Sequence, residues 1–229
     1  SWVQIPPPPP KNMSYKKLIF VDGFKIRNFV DNDFGIIESH SDSVSSFAPT
    51  FYIPKNEIWL DYRYQDESDF LLKILNFRAP KEIASEANWR EFLKRKFCSK
   101  KPPPAFKIKK EKKNNFSLIF VDGGVVRRYF DPEFILGGHD LVYSYIPQGE
   151  IWLDIKMDPL EIPFTLLHEK KERELMKKGK SYDIAHEFAT IYDKEERRGK
   201  LGVSYPGDKN YIWYNKSNKE IRKELIVKK

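Results

Sequence analysis

LIFVDG at residues 18–23 returns as LIFVDG at 118–123, and EIWLD at 57–61 returns at 150–154. Two peptides recurring in the same order mark an internal repeat, and a repeat sets the domain plan before anything else is read. Between these anchors Arg27 answers Arg127, Asp31 answers Asp131, Phe34 answers Phe134, and Tyr52-Ile53-Pro54 answers Tyr145-Ile146-Pro147. The chain therefore reads as two tandem copies of one module, residues 16–98 and 116–215. A proline-rich arm (1–15) precedes them, a Pro/Lys-rich linker (99–115) joins them, and a basic tail (216–229) follows.

Within each copy, KLIFVDG or SLIFVDG is a short apolar run closed by Asp-Gly, the chemistry of a strand entering a tight reversal. FKIRNFV or GVVRRYF then reads as a second strand, and EIWLD as a third that follows a turn at Lys55-Asn56 or Gln148-Gly149. Helical signals come next. Pro163 suits a first turn, Gly179 a stop, and Ser181 the cap of a helix from 182 to about 198, with Ile184, Ala185, Phe188, Ala189 and Tyr192 at apolar spacing. In the first copy, residues 69–97 have the same helical look. The expected class is α+β: in each copy a small, mostly antiparallel sheet followed by a helical hairpin, with a C-terminal strand extension at 205–215 in the second.

Charge distribution narrows the classes of partner. The net charge is +8, but residues 99–115 hold seven Lys against one Glu and residues 216–229 hold six Lys or Arg against two Glu, leaving the modules close to neutral. The linker and tail are expected to be solvated spacers, with Lys-rich 107–113 open to nucleic acid and the Pro-rich segments 5–10 and 102–104 open to protein partners. Cys98 is the single cysteine, which excludes an intrachain disulfide and a thiolate metal cluster. There is no 18-residue apolar run, no phosphate-binding GxxxxGK and no GxSxG elbow. A soluble protein, intracellular or within a virion and without a membrane partner, is the expectation.

The copies differ where chemistry is concentrated. LLHEKKERELM at 166–176 and AHEFA at 185–189 belong to the second copy alone. His168 and Glu172, four apart, share a helix face, so an imidazole nitrogen and a carboxylate oxygen can meet one cation, with His186 arriving from the next helix as a third ligand. Such a set leaves a fourth position open, as catalytic zinc sites do. His139, in GGHDLVY, is a further candidate, since Gly137 and Gly138 permit close approach of a ligand. The alternative also stands: Lys170 to Glu174 is ordinary charge lacing for a solvated helix, with His168 and His186 packing between helices.

His168 and Glu169 together resemble the opening of the HExxH helix of the zincin metallopeptidases, with Glu172 where the second histidine stands. This resemblance covers about 30 residues and implies zinc held by His168, Glu172 and His186, with Glu169 as the general base acting on water. The wider pattern LLHExxExxLM…G…Y…AHExA is similar to uncharacterised proteins, often phage- or virus-encoded. Two functions follow as expectations. One is a zinc-dependent hydrolase or peptidase remnant; the other is a non-catalytic component of a larger assembly, possible in a virion, held by the arm and linker.

Overall fold

In the computed structural model, which describes residues 16–39, 53–77, 86–205, 208–209 and 216–227, both LIFVDG repeats run into a helix instead of a hairpin. Strand β1 (Lys17–Val21) is followed by helix α1 (Gly23–Phe29), and β5 (Ser117–Val121) by α4 (Gly123–Tyr129). The physical reason lies in the aspartate. Asp22 and Asp122 are extended N-caps whose side chains accept from the amides of Lys25 and Val125, satisfying a helix-start donor that a hairpin would leave to its partner strand. Asp-Gly serves a cap here, so the expected second strands are α1 and α4.

That correction changes the sheet. A helix after β1 carries the chain across, and β1 pairs in parallel with β3 (Glu57–Asp61), aligning Ile19 with Trp59. The short β2 (Ile37–Ser39) then pairs antiparallel with β3, giving the order β1-β3-β2. The second half repeats this register: β5 lies parallel to β7 (Glu150–Asp154), Ile119 aligns with Trp152, and β6 (Gly137–His139) is antiparallel to β7. The class is α+β and both sheets are mixed: β1-β3 and β5-β7 run parallel, and the other three pairings are antiparallel. The remaining helices are α2 (Ser68–Leu75), which follows a 3-10 turn at Tyr62–Glu67, α3 (Glu86–Phe97), α5 (Ile162–Lys177), α6 (Tyr182–Leu201) and α7 (Asn218–Leu225). No helix among the described residues is long and apolar enough to cross a membrane.

Linker and tail are both built into the fold. Residues 107–112 form β4, antiparallel to β5 at the sheet edge, giving the order β4-β5-β7-β6. Lys107 and Lys110 meet Glu150, while Lys109 and Lys113 meet Glu111, so part of the basic run is neutralised internally. The tail does for β1 what this segment does for β5. Helix α7 starts in a Ser217/Glu220 capping box and ends with Leu225 fully buried and Ile226 bridged to Val21. The amide of Asp22 donates to the Leu225 carbonyl at 2.8 Å, as that of Asp122 donates to the Phe106 carbonyl at 2.8 Å. Arg222 grips Glu57 as Lys107 grips Glu150, and each glutamate accepts from the following tryptophan indole, at 2.9 and 2.7 Å. A spacer reading fails because both segments supply main-chain partners to an otherwise open strand. The arm at 1–15 and most of the expected strand at 205–215 lie outside the described residues.

The two halves share one core. Ile36, Leu60, Tyr64 and Leu71 pack in a single buried cluster with Leu118, Phe120, Leu136, Ile151 and Leu153. Each half also keeps its own cluster, around Trp59 in the first and Trp152 in the second. Burial of this kind, at roughly 1.5–3 kcal/mol for each large side chain, makes the halves interdependent.

Candidate metal centre

Helices α5 and α6 lie against each other, and the pairing is set by small residues. Ala185 and Ala189 are fully buried against α5, whereas Ile184, Phe188 and Tyr192 are 43%, 48% and 49% exposed. The inward face of α6 is thus one helical position away from the bulky apolar stripe. Alanines allow close approach of the two helix axes, and Asp193 and Arg197 are buried further along the same helix. Pro163 occupies the first turn of α5, and Gly179 at φ 84° ends it, making the short reversal that brings His186 back beside His168.

The inward face of α5 is polar. Thr165, Glu169, Glu172 and Arg173 are buried, so residues 170–174 are not simply a solvated charged stretch. His168 Nε2 lies 3.1 Å from His186 Nδ1, His186 Nδ1 lies 2.8 Å from Glu172 Oε2, and His168 Nε2 lies 3.6 Å from the same oxygen. Three potential donor atoms therefore converge. Tyr182, one turn before His186, stacks on its ring at 5.5 Å between centroids.

Glu169 and His139 lie on the other side of Glu172. His139 Nε2 is 2.9 Å from Glu172 Oε1, and His139, Glu169 and Glu172 form a second cluster with donor atoms within 4.8 Å of one another. The glycines beside His139 serve packing. A Cβ on Gly137 would sit 2.9 Å from Leu153 and 3.1 Å from both Glu169 and Thr165, and one on Gly138 would sit 2.4 Å from the Tyr143 ring. Neither glycine has positive φ. The space expected for a ligand is filled by α5 and Tyr143.

Burial and charge set the protonation states. Burial works to raise the Glu172 carboxyl, but hydrogen bonds from His139, His168 and His186 outweigh it and hold Glu172 well below the carboxylate range. His186 is raised, chiefly by its hydrogen bond to Glu172. Glu169 is pushed well above the carboxylate range, first by burial and then by the charge of Glu172. One carboxylate is thus ionised among imidazoles, while burial and that charge favour the protonated form of its neighbour.

A cleft of about 270 Å³ opens over these residues. His168, Glu169, Glu172 and His186 line it on the second half, and Asn32, Asp33, Phe34 and Gly35 on the first. Below it, Arg197 pairs with Asp193 at 2.9 Å and with Glu161, which also meets Arg27 at 3.0 Å. The sequence carries only a faint trace of this buried network, the recurrence of Arg27 as Arg127. The Asp140–Arg173 pair, joined at 3.0 Å between Nη2 and Oδ2, carries no motif and becomes visible only when β6 and α5 are assembled.

No protein-family model, no curated protein and no solved structure matches the chain.

Proposed function

We propose that His168, Glu172 and His186 hold a zinc ion and that the chain is a zinc-dependent hydrolase of zincin-like type. One observation carries this: three donor atoms from two helices lie 2.8–3.6 Å apart. Ligands about 2.0–2.2 Å from a tetrahedral zinc are roughly 3.3–3.5 Å apart, so the set fits with sub-ångström adjustment. Two imidazoles with one carboxylate suit zinc better than calcium or magnesium, which take oxygen ligands.

Bound there, zinc would supply Lewis acidity and a lowered pKa for water. The chain's own residues supply the rest. Glu169 lines the same cleft, and its carboxyl, shifted upward by burial and by the charge of Glu172, is placed for proton transfer to or from a reacting group. Residues 32–35 of the first half form the facing wall, so the half that lacks the histidines still shapes the space for substrate. We further propose that the matching element order of the halves reflects a duplicated module of which the second copy holds the metal.

Metal content tests the zinc assignment. The purified chain, exposed to zinc and desalted, is expected to retain about one zinc per molecule, and His168→Ala and Glu172→Ala to lose it. Folded wild-type chain that retains none overturns the proposal. For the hydrolase assignment, zinc-loaded wild type is compared with Glu169→Gln on peptide and amide substrates; cleavage that survives unchanged in Glu169→Gln removes Glu169 from the chemistry.

A non-catalytic role in an assembly is the second proposal, favoured by β4, which lies at the end of its sheet's strand order with most of its side chains exposed. Such an edge accepts an added strand, although its lysines also discourage indiscriminate pairing. Light scattering that finds the chain monomeric at high concentration, with arm and linker cut rapidly by protease, would speak against it.

A further inference from the structure

His139 ends β6 and is completely buried against α5, yet the sequence suggests no role for it beyond that of a possible ligand. Its hydrogen bonding decides between ligand and support. Nδ1 accepts the backbone N–H of Leu141 at 3.2 Å. A neutral imidazole carries a single ring proton, so a lone pair at Nδ1 places that proton on Nε2. Nε2 in turn lies 2.9 Å from Glu172 Oε1. That distance is an ion-pair contact whose geometry falls short of a hydrogen bond, and the buried nitrogen has no hydrogen-bond partner. With Nδ1 taken by Leu141 and the Nε2 proton facing Oε1, His139 has no lone pair left for a metal, even though it clusters with Glu169 and Glu172.

Resting on the zinc proposal above, we infer that His139 is a positioning residue. Its Nε2–H holds Oε1 of Glu172 and so presents Oε2 to His168 and His186, making Glu172 a one-oxygen ligand. The support is itself fixed. Asp140, next in the chain, is gripped by Arg173, the residue after Glu172, so the end of β6 is tied to α5 immediately beside the contact. Gly137 and Gly138 allow α5 and Tyr143 to close on β6, which keeps His139 at this distance. Ligands held by such outer partners typically lose about 10–100-fold in metal affinity when the partner is removed.

The test uses the full chain and zinc or cobalt as the probe. His139→Leu should weaken zinc binding by about 10–100-fold, measured by competition with a chromophoric chelator, and should change the visible spectrum of bound cobalt. His139→Gln, whose side-chain amide can donate in place of Nε2–H, should restore most of the affinity. A merely structural histidine would be expected to leave the cobalt spectrum unchanged and to show no such rescue. Should His139→Leu fail to fold, nitrogen-15 spectra of the wild-type ring decide the question: protonated Nε2 with bare Nδ1 in the zinc-loaded chain supports positioning, and an Nε2 bonded to metal overturns it. Wild type that binds no zinc defeats the zinc proposal, whereas wild type and His139→Leu that bind zinc equally defeat this inference alone.

Discussion

Arg127 clasps Glu67 across the boundary between the two halves, with Nε donating to Oε2 at 3.0 Å and Nη2 to Oε1 at 2.9 Å, and both side chains 1% exposed. Arg127 also meets Asp154 of its own sheet at 3.0 Å and donates through Nη1 to the carbonyls of Phe134 and Ile135. The first half does the same in reverse. Arg27 meets Asp61 of its own sheet, Glu161 of the other half, and the carbonyls of Phe34 and Gly35. Each half thus lends one glutamate to the other's arginine.

Removing one lender should be costly. Glu67→Ala leaves Arg127 buried with Asp154 as its remaining carboxylate, and the loss should be about 3 kcal/mol, the low end for a broken buried pair. Urea titration monitored by tryptophan fluorescence would show it, and a change within error would refute it. Because the core is shared, wild type should unfold in one transition seen alike by fluorescence and circular dichroism; two separated transitions would mean independent halves.

Zinc uptake should depend on pH through His186. Its pKa is raised by Glu172, so the proton it holds stabilises the metal-free chain below its unfolded value of 6.5, and that contribution fades as pH rises through the folded value. Zinc must displace this proton, whereas Glu172 is already ionised. Below the folded pKa of His186, affinity should rise about tenfold per pH unit, one proton leaving per zinc. A flat profile from pH 5.5 to 8, read by chelator competition, would contradict this.

Gly137→Ala removes no ligand yet should damage the centre. The new Cβ would press on Leu153, Glu169 and Thr165 at 2.9–3.1 Å, which only side-chain shifts or a lift of α5 from β6 can relieve. A stability loss of about 1–3 kcal/mol is expected for such overpacking, together with weaker zinc retention. Unchanged melting and unchanged zinc content would show that α5 is not seated as described.

Leu225→Ala probes the return of the tail. The side chain is fully buried among Ile19, Val21 and Trp59, and its loss should cost about 2–5 kcal/mol. Hydrogen exchange should show β1 losing protection before β5 does; equal protection would mean that α7 contributes little to the first sheet.

Local signals are legible in the sequence, and signals that depend on assembly are not. Pro163 and Gly179 mark the ends of α5, and His168, Glu172 and His186 fall together because helical spacing and a short turn are local geometry. Asp22-Gly23 is ambiguous: the same pair opens a hairpin or caps a helix, and the parallel alignment with β3 that decides the matter lies about forty residues away in sequence. On α6, apolar spacing marks Ile184, Ala185, Phe188, Ala189 and Tyr192 without saying which of them face inward. The structure buries Ala185 and Ala189 and leaves Ile184, Phe188 and Tyr192 about half exposed, a choice made only when α6 meets its neighbours. His139 is equally illegible, since its partner Glu172 belongs to a different element.

The pairing of Ile226 with Val21 also gives the fold an order in time. A chain leaving the ribosome at about 5–20 residues per second presents β1 roughly 10–40 s before the residues that cover its outer side. Residues 106–121, which bring the equivalent cover to β5, emerge together. During biosynthesis the second half can therefore mature around its own edge strand, while the first waits with Ile19 and Val21 incompletely covered, a window in which a chaperone or a neighbouring nascent chain would find it.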